Sequence, residues 1–434
     1  MKPGFWLSLI AAFVIVGCSP YKQIGKAAQQ TVIHNKALQT AHVGISIFEP
    51  ATGKYWYNHQ GDKYFVPASN TKIPTTYVAM KYLGDSLPGL RYHDADTALY
   101  IQPTADPTLL HRDYKTHPVY TFLKNTKKPV YYLLPAWQTA EYGAGWAWSD
   151  YNESYMPERS ELPIYGNVVE LKLEKEGSRL ALKPDIHFYR YAVNELVDPL
   201  TPNIRVVRRQ NRNTFDVLPG RQAYTTAQFP FMTFENPRLL EDTLKIEWRE
   251  RTRLTQPLPF KTLRSQPTDS MLKPLMHRSD NFFAEQTLLM VSNELLGVMS
   301  EAKLIDTVLK TDFKDLPQAP RWADGSGLSR YNLFTPQSFV AILDKMKNEF
   351  GLARLKEIFP AGNDGTLRNY YVSDSAYIWA KTGTLSGVVA LSGYLVTKKN
   401  KLLLFSVLVN NHRANATDVR RAVEQFLVGV RERY

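Results

Sequence analysis

The placement of strand-like segments at the two ends of the chain is the feature that most constrains its fold. Residues 43–48 and 54–58 predict a hairpin near the start, because a turn-forming Ala51-Thr52-Gly53 lies between them. Three more strands are predicted near the end, over residues 377–384, 388–396 and 402–409. Helical patterns lie between the two groups. We therefore expect an α/β (α+β) fold in which one sheet, built from both termini, is covered by helices.

The predicted helices share apolar residues that recur every three or four positions. They cover residues 69–83, 270–276 continuing through Asn281 to about 295, 336–346, 352–359 and 417–430. Pro74 lies just past the first turn if Ser69 caps the first of these helices, and there it removes one backbone hydrogen bond. We therefore expect a distorted first turn or a helix that begins slightly later.

Residues 90–263, which we call the inserted region, have a different pattern. Short strand-like pieces alternate there with polar turns, at residues 98–101, 119–122, 130–134, 168–173 and 243–248. Long helical patterns are scarce. We expect one or two β-rich accessory domains inserted into a main domain that comprises residues 19–89 and 264–434.

The balance of charges limits the classes of partner. The formal net charge is +12, which indicates either a solvated basic surface or attraction to anionic partners. The sequence has no compact Lys/Arg run, zinc pattern or aromatic RNA motif, so nucleic acid is disfavoured. An anionic polymer and a membrane surface fit the charge equally well. The sequence also lacks His-Glu-x-x-His, and no metal is expected.

The only cysteine, Cys18, ends an apolar run over residues 5–17 that follows Met1-Lys2. That run is too short to span a bilayer and is typical of the core of a signal peptide. The segment resembles a bacterial lipobox, in which the cysteine is lipidated and becomes the mature N-terminus. We therefore expect residues 1–18 to be a lipoprotein signal peptide, with the protein anchored by lipid and facing the periplasm or the exterior. The alternative is an ordinary signal peptide or short anchor with an incidental cysteine.

The segment Ser69-Asn70-Thr71-Lys72 combines a nucleophile with a base. A serine hydroxyl needs a nearby base, and residues three apart lie on one face of a helix. A lysine in a desolvated pocket loses its proton near neutral pH and can accept one from serine. Taken alone the pattern is weak, because a capped helix with a later lysine is common.

Two further patterns follow in the order that this chemistry requires. They are Ser279-Asp280-Asn281 and Lys381-Thr382-Gly383, and together with the first segment they carry a known acyl-transfer mechanism. Each has a simpler interpretation, since the first is also a turn and the second a strand-edge cation. His277 and His412 are interpreted as packing or loop residues, not as bases.

These three motifs resemble those of the penicillin-recognising serine enzymes. The similarity is greatest to the class C low-molecular-mass penicillin-binding proteins, the D-alanyl-D-alanine carboxypeptidase/endopeptidase family. It extends to the segments 105–109, 145–150, 324–330 and 364–367. A long inserted region is also typical of that subclass. The resemblance implies a β-lactamase/transpeptidase-like antiparallel sheet covered by helices.

The resemblance also implies a role for each motif residue. Ser69 would attack the carbonyl of the penultimate D-Ala of a peptidoglycan peptide, Lys72 would be the base, and Ser279 would relay a proton. Substrate binding would fall to Asn281, Lys381, Thr382, Gly383 and Thr384. β-Lactams would acylate Ser69 as covalent inhibitors, and no metal or cofactor would be needed.

Two other functions remain open from the sequence. One is a β-lactamase-like hydrolase, although no counterpart of the class A deacylating glutamate is seen. The other is a non-catalytic protein that binds wall peptides. The sequence does not determine whether carboxypeptidase or endopeptidase activity dominates, or which diamino acid the substrate carries. It also leaves open the deacylation base, the role of the inserted region, the membrane that holds the anchor and the oligomeric state.

Overall fold

The structure is a computed structural model that describes residues 20–176, 179–183, 193–195, 205–218, 225–252, 258–373 and 377–434. Cys18 and the predicted signal peptide lie outside these residues. Within them, no helix is both long and apolar enough to span a membrane.

The helices of the described residues, in chain order, are α1 (Pro20–Ala28), α2 (Lys72–Tyr82), α3 (Pro118–Asn125), α4 (Asn236–Leu244), α5 (Thr268–His277), α6 (Asn281–Leu296), α7 (Glu301–Lys310), α8 (Pro336–Phe350), α9 (Leu352–Ile358) and α10 (Ala416–Arg433). The strands are β1 (His42–Glu49), β2 (Lys54–His59), β3 (Ser86–Asp94), β4 (Leu99–Pro103), β5 (Val130–Leu133), β6 (Val168–Glu176), β7 (Arg179–Lys183), β8 (Val193–Glu195), β9 (Arg205–Arg208), β10 (Phe215–Leu218), β11 (Thr225–Pro230), β12 (Trp248–Thr252), β13 (Lys261–Pro267), β14 (Ile378–Leu385), β15 (Val388–Val396) and β16 (Leu402–Asn410).

The central sheet joins the two ends of the chain. Its strand order is β14-β15-β16-β1-β2, and every neighbouring pair is antiparallel. The register sets Ile45 of β1 opposite Val407 of β16. The predicted class, an antiparallel sheet assembled from both termini and covered by helices, is therefore confirmed.

Helices cover both faces of this sheet, so its central strands are apolar on both sides. Along β16, Leu404 and Leu408 face a core that they share with α2, α5, α6 and α8. The alternate residues Phe405 and Val407 face a second core, formed with α1 and α10. This alternation follows from the two-residue period of a strand.

The inserted region has its own sheets and core. A five-stranded mixed sheet has the order β12-β5-β4-β3-β13, and two three-stranded sheets have the orders β8-β10-β9 and β11-β6-β7. Buried apolar side chains, among them Leu99, Ile101 and Leu123, join α3 and α4 to these strands.

Two of the strand predictions for the inserted region were wrong. Residues 119–122 belong to helix α3, which begins with Pro118 and buries Val119 and Leu123 four residues apart on one face. Thr243 and Leu244 end helix α4, and the next strand begins only at Trp248. In both cases packing against the sheet overrides the β-propensity of the residues.

The first predicted helix begins later than its serine, as expected from Pro74. A 3₁₀ turn covers Ala68–Thr71, and α2 starts at Lys72. Pro74 is then the third residue of α2, where the backbone N–H has no partner within the helix in any case. The proline is therefore accommodated without loss of a hydrogen bond.

Candidate active site

Ser69 lies in the tight turn that precedes α2. Its neighbours Ala68, Asn70 and Thr71 are buried, whereas Ser69 itself is half-exposed. Ala68 has a φ of 47°, a left-handed conformation that is costly for alanine. With its amide nitrogen towards β14, Asn70 donates to the carbonyl of Lys381 at 2.7 Å. The turn is thus fixed to the sheet, and its hydroxyl-bearing residue is left accessible.

Lys72 is fully buried beneath Ser69 and binds three acceptors. Its Nζ donates to Ser69 Oγ at 3.1 Å, to Asn281 Oδ1 at 2.7 Å and to the carbonyl of Ser326 at 2.7 Å. Burial lowers the pKa of Lys72 to about 8, against the opposing charges of Asp324, Glu285 and Asp280. A substantial fraction of this lysine is therefore neutral near physiological pH, as a general base requires.

The second motif forms the start of α6. Asp280 caps the helix by accepting from the N–H of Phe283 at 3.1 Å. Ser279 precedes it with a φ of 62°, another left-handed position. Asn281 accepts from Lys72 and donates through Nδ2 to the carbonyl of Tyr155 at 2.9 Å. Asn281 therefore links the lysine to the inserted region.

The third motif lies on β14, the edge strand of the central sheet. Lys381 is fully buried and donates to Ser279 Oγ at 2.9 Å and to the carbonyl of Thr382 at 2.7 Å. Burial and the nearby charge of Lys72 hold the pKa of Lys381 well below its usual range. A Cβ on Gly383 would approach the carbonyl oxygen of Pro67 to 2.7 Å and the backbone nitrogen of Ser69 to 3.0 Å. The glycine therefore permits the strand to lie against the serine turn.

The two threonines of this strand point away from Lys381, because side chains alternate along a strand. Thr382 Oγ1 donates to Thr366 Oγ1 at 2.7 Å. Thr384 Oγ1 accepts from the guanidinium of Arg420 on α10 at 2.6 Å. Ser69, Lys72 and Asn281 thus form one hydrogen-bonded group and Lys381 and Ser279 another, while the threonines contact residues on the other face of β14.

Sequence reasoning assigned no role to two buried carboxylates behind this group. Asp324 accepts from the N–H groups of Gly327 and Ser329 at 2.8 and 2.7 Å. Burial and the charge of Glu285 raise the pKa of Asp324 to about 6, although the hydrogen bond from Ser329 opposes the shift. Glu285 lies one turn after Asn281, and a charged residue in the middle of a helix with many apolar residues was the available signal.

The two histidines near the motifs lie where the sequence interpretation put them. His277 is half-buried with Nδ1 3.0 Å from Asp364, and burial lowers its pKa. His412 lies in the loop after β16, with Nδ1 3.0 Å from the carbonyl oxygen of Ala414. Among the described residues, no cluster of His, Cys, Asp and Glu side chains is suited to a metal ion.

Comparison with known proteins identifies similar sequences over almost the whole chain. The sequence model of the D-Ala-D-Ala carboxypeptidase 3 (S13) family matches residues 26–430. A D-alanyl-D-alanine carboxypeptidase of Actinomadura sp. is 26% identical over 93% of this chain and 85% of its own length. The D-alanyl-D-alanine carboxypeptidase DacB of Haemophilus influenzae is 30% identical over 34% of this chain, and the match spans only 33% of that protein.

A solved structure has the same fold. The crystal structure of penicillin binding protein 4 (dacB) from Haemophilus influenzae superimposes with a TM-score of 0.72 at 22% identity. The superposition covers 93% of this chain and 97% of that one. Since so few residues of either chain lie outside the superposition, the inserted region belongs to the architecture that the two proteins share.

We expect Gly383→Ala to reduce labelling of Ser69 by a fluorescent penicillin roughly tenfold to a hundredfold, since the added Cβ forces β14 away from the serine turn. Gel fluorescence over time measures the effect. The control is Gly429→Ala on α10, where a Cβ meets no atom within 4 Å. Equal labelling of Gly383→Ala and wild type would show that the close approach is unimportant.

Proposed function

The chain belongs to the D-Ala-D-Ala carboxypeptidase 3 (S13) family, and on this basis we propose that it is a serine-type carboxypeptidase/endopeptidase of peptidoglycan stem peptides. One observation carries the proposal: the Nζ of the buried Lys72 lies 3.1 Å from the accessible hydroxyl of Ser69. The reaction would form an acyl-enzyme that water then hydrolyses.

In the proposed acylation, Ser69 Oγ attacks the carbonyl carbon of the penultimate D-Ala while Lys72 Nζ takes the hydroxyl proton. The backbone N–H groups of Ser69 and Thr384 would bind the oxyanion, and the close packing at Gly383 supports this geometry. An extended peptide would pair with the edge of β14 after Ala380, because the first part of that edge already bonds Pro360 and Gly362.

The leaving amine requires a proton when the amide bond breaks. Ser279 would supply it, and the 2.9 Å hydrogen bond from Lys381 to Ser279 Oγ supports such a relay.

The terminal carboxylate of the substrate would bind near Thr382 and Thr384. Arg420, which donates to Thr384, has no carboxylate partner among the described residues and would add a positive charge there. With a β-lactam, the opened ring stays attached and the acyl-enzyme persists.

We expect wild-type protein to form a stoichiometric penicillin adduct on the peptide that contains Ser69, and Ser69→Ala to form none. The substitution removes one hydroxyl from a half-exposed position, so its melting temperature should stay within a few degrees of wild type. Intact-mass and peptide mass spectrometry measure the adduct. A wild-type protein without any adduct would indicate a binding protein, and steady turnover of nitrocefin a β-lactamase.

Defined muropeptides then separate the two peptidase activities. Release of D-Ala from monomers identifies a carboxypeptidase, and conversion of cross-linked dimers to monomers identifies an endopeptidase. The Ser69→Ala variant is the control for both reactions.

The rate of penicillin acylation should rise with pH up to about 8, because Lys72 acts only when it is deprotonated and its pKa lies at about 8. Well below this value we expect about a tenfold gain per pH unit, with a plateau above it. Labelling quenched at fixed times between about pH 5.5 and about pH 9.5 measures the profile. A flat profile would contradict the assignment of Lys72 as the base.

We propose that the enzyme acts at the cell envelope and is anchored through lipid on Cys18. Only Ser19 separates Cys18 from the start of α1, and α1 packs on the side of the central sheet that α10 covers. That side would therefore lie next to the membrane.

Cys18→Ala should move the protein from the membrane pellet to the soluble fraction on fractionation, whereas continued pelleting would contradict lipidation.

A further inference from the structure

The carbonyl that orients Lys72 belongs to a loop fixed by two buried carboxylates. The Ser326 carbonyl accepts from Lys72, and the N–H of the same peptide unit, on Gly327, donates to Asp324 at 2.8 Å. The preceding N–H, on Ser326, donates to Glu285 Oε1 at 2.7 Å. The position of the lysine therefore depends on the positions and charges of these two carboxylates.

Glu285 is paired in turn with a residue of the inserted region. Arg159 donates to Glu285 Oε2 through Nε at 3.0 Å and through Nη2 at 2.6 Å. Both side chains are almost fully buried, with 1% of Arg159 and 2% of Glu285 exposed. Arg159 also binds Glu301 at 2.9 Å, and its guanidinium lies over the ring of Trp146. The inserted region therefore supplies the counter-charge of a carboxylate on the catalytic side of the molecule.

We propose, on the premise of the acyl-transfer function, that Arg159 is a positioning residue: it fixes the Glu285 carboxylate and offsets its negative charge, and so sets the orientation and basicity of Lys72. This gives the inserted region a role in the chemistry, although no atom of Arg159 contacts the nucleophile. Residues Arg159, Glu285, Ser326 and Lys72 form a continuous series of contacts that ends at Ser69.

The charges that face Lys72 determine the direction of each effect. Asp324, Glu285 and Asp280 favour its protonated form, and Lys381 opposes it. Loss of the Arg159 cation leaves the negative charge of Glu285 uncompensated, so Lys72 should keep its proton to higher pH. Loss of the Glu285 carboxylate should have the opposite effect. A role in packing alone would not produce shifts of opposite sign.

The test is the pH midpoint of penicillin acylation, measured for full-length wild type, Arg159→Met, Glu285→Gln and Arg159→Lys. We expect the midpoint of Arg159→Met to rise, and that of Glu285→Gln to fall, each by about half a unit to one unit. Arg159→Lys retains the cation, so its midpoint should stay within about 0.3 unit of the wild-type value. This conservative variant tests whether a positive charge at position 159 is sufficient. The double variant Arg159→Met/Glu285→Gln should return towards wild type.

Arg208→Met is the matched control. Arg208 is also a buried arginine of the inserted region, but it pairs with Glu158 at 3.4 Å and has no contact with Glu285 or the loop 324–327 among the described residues. We expect it to lower the melting temperature and leave the midpoint unchanged. Should Arg159→Met fail to fold, Glu285→Gln and Arg159→Lys still decide the question by their difference in midpoint.

The outcomes separate this inference from the function on which it rests. Midpoints that stay at the wild-type value in Arg159→Met and Glu285→Gln, or that move in the same direction, overturn the role of Arg159 while acylation itself stands. A wild-type protein that forms no adduct on Ser69 overturns the acyl-transfer function, and the inference with it.

Discussion

The burial of the Lys72 ammonium is the constraint on which the rest of the structure depends. Desolvation of a charged lysine costs several kcal/mol unless acceptors surround it, and here three segments distant in sequence provide them. Ser69, Asn281 and Ser326 each offer one oxygen. The lysine is therefore stable only in a fold that brings these segments together, and that same convergence creates the site.

The central sheet provides this convergence, because helices occupy both of its faces while the end of β14 after Ala380 has no strand partner among the described residues. Unpaired edge strands favour aggregation, and proteins usually protect them. β14 lies at such an edge beside the serine turn, with Gly383 permitting the contact. The end of this edge, next to the Ser69 turn, is suited to an extended peptide, which agrees with membership of a D-Ala-D-Ala carboxypeptidase family.

The sequence predicted the central sheet better than the inserted region, for a physical reason. Strands such as β16 are buried on both faces and form long apolar runs, so their composition identifies them. In the inserted region, Val119 and Phe122 have high β-propensity but lie in a helix that begins at Pro118. There the packing of one apolar face on a neighbouring sheet decides the structure, and short segments do not reveal that packing.

The sequence by itself determined the chemical identity and order of the three motifs and the strand that carries the third, because these follow from residue types and local periodicity. It did not predict the break between α5 and α6 at which Ser279 lies. Only the tertiary structure decided which charges meet. Arg159 pairs with Glu285 although more than a hundred residues separate them, and Lys72 loses its contact with water. Burial and Coulomb energy depend on distances in space, so the lowered pKa of Lys72 is a property of the fold and not of the motif.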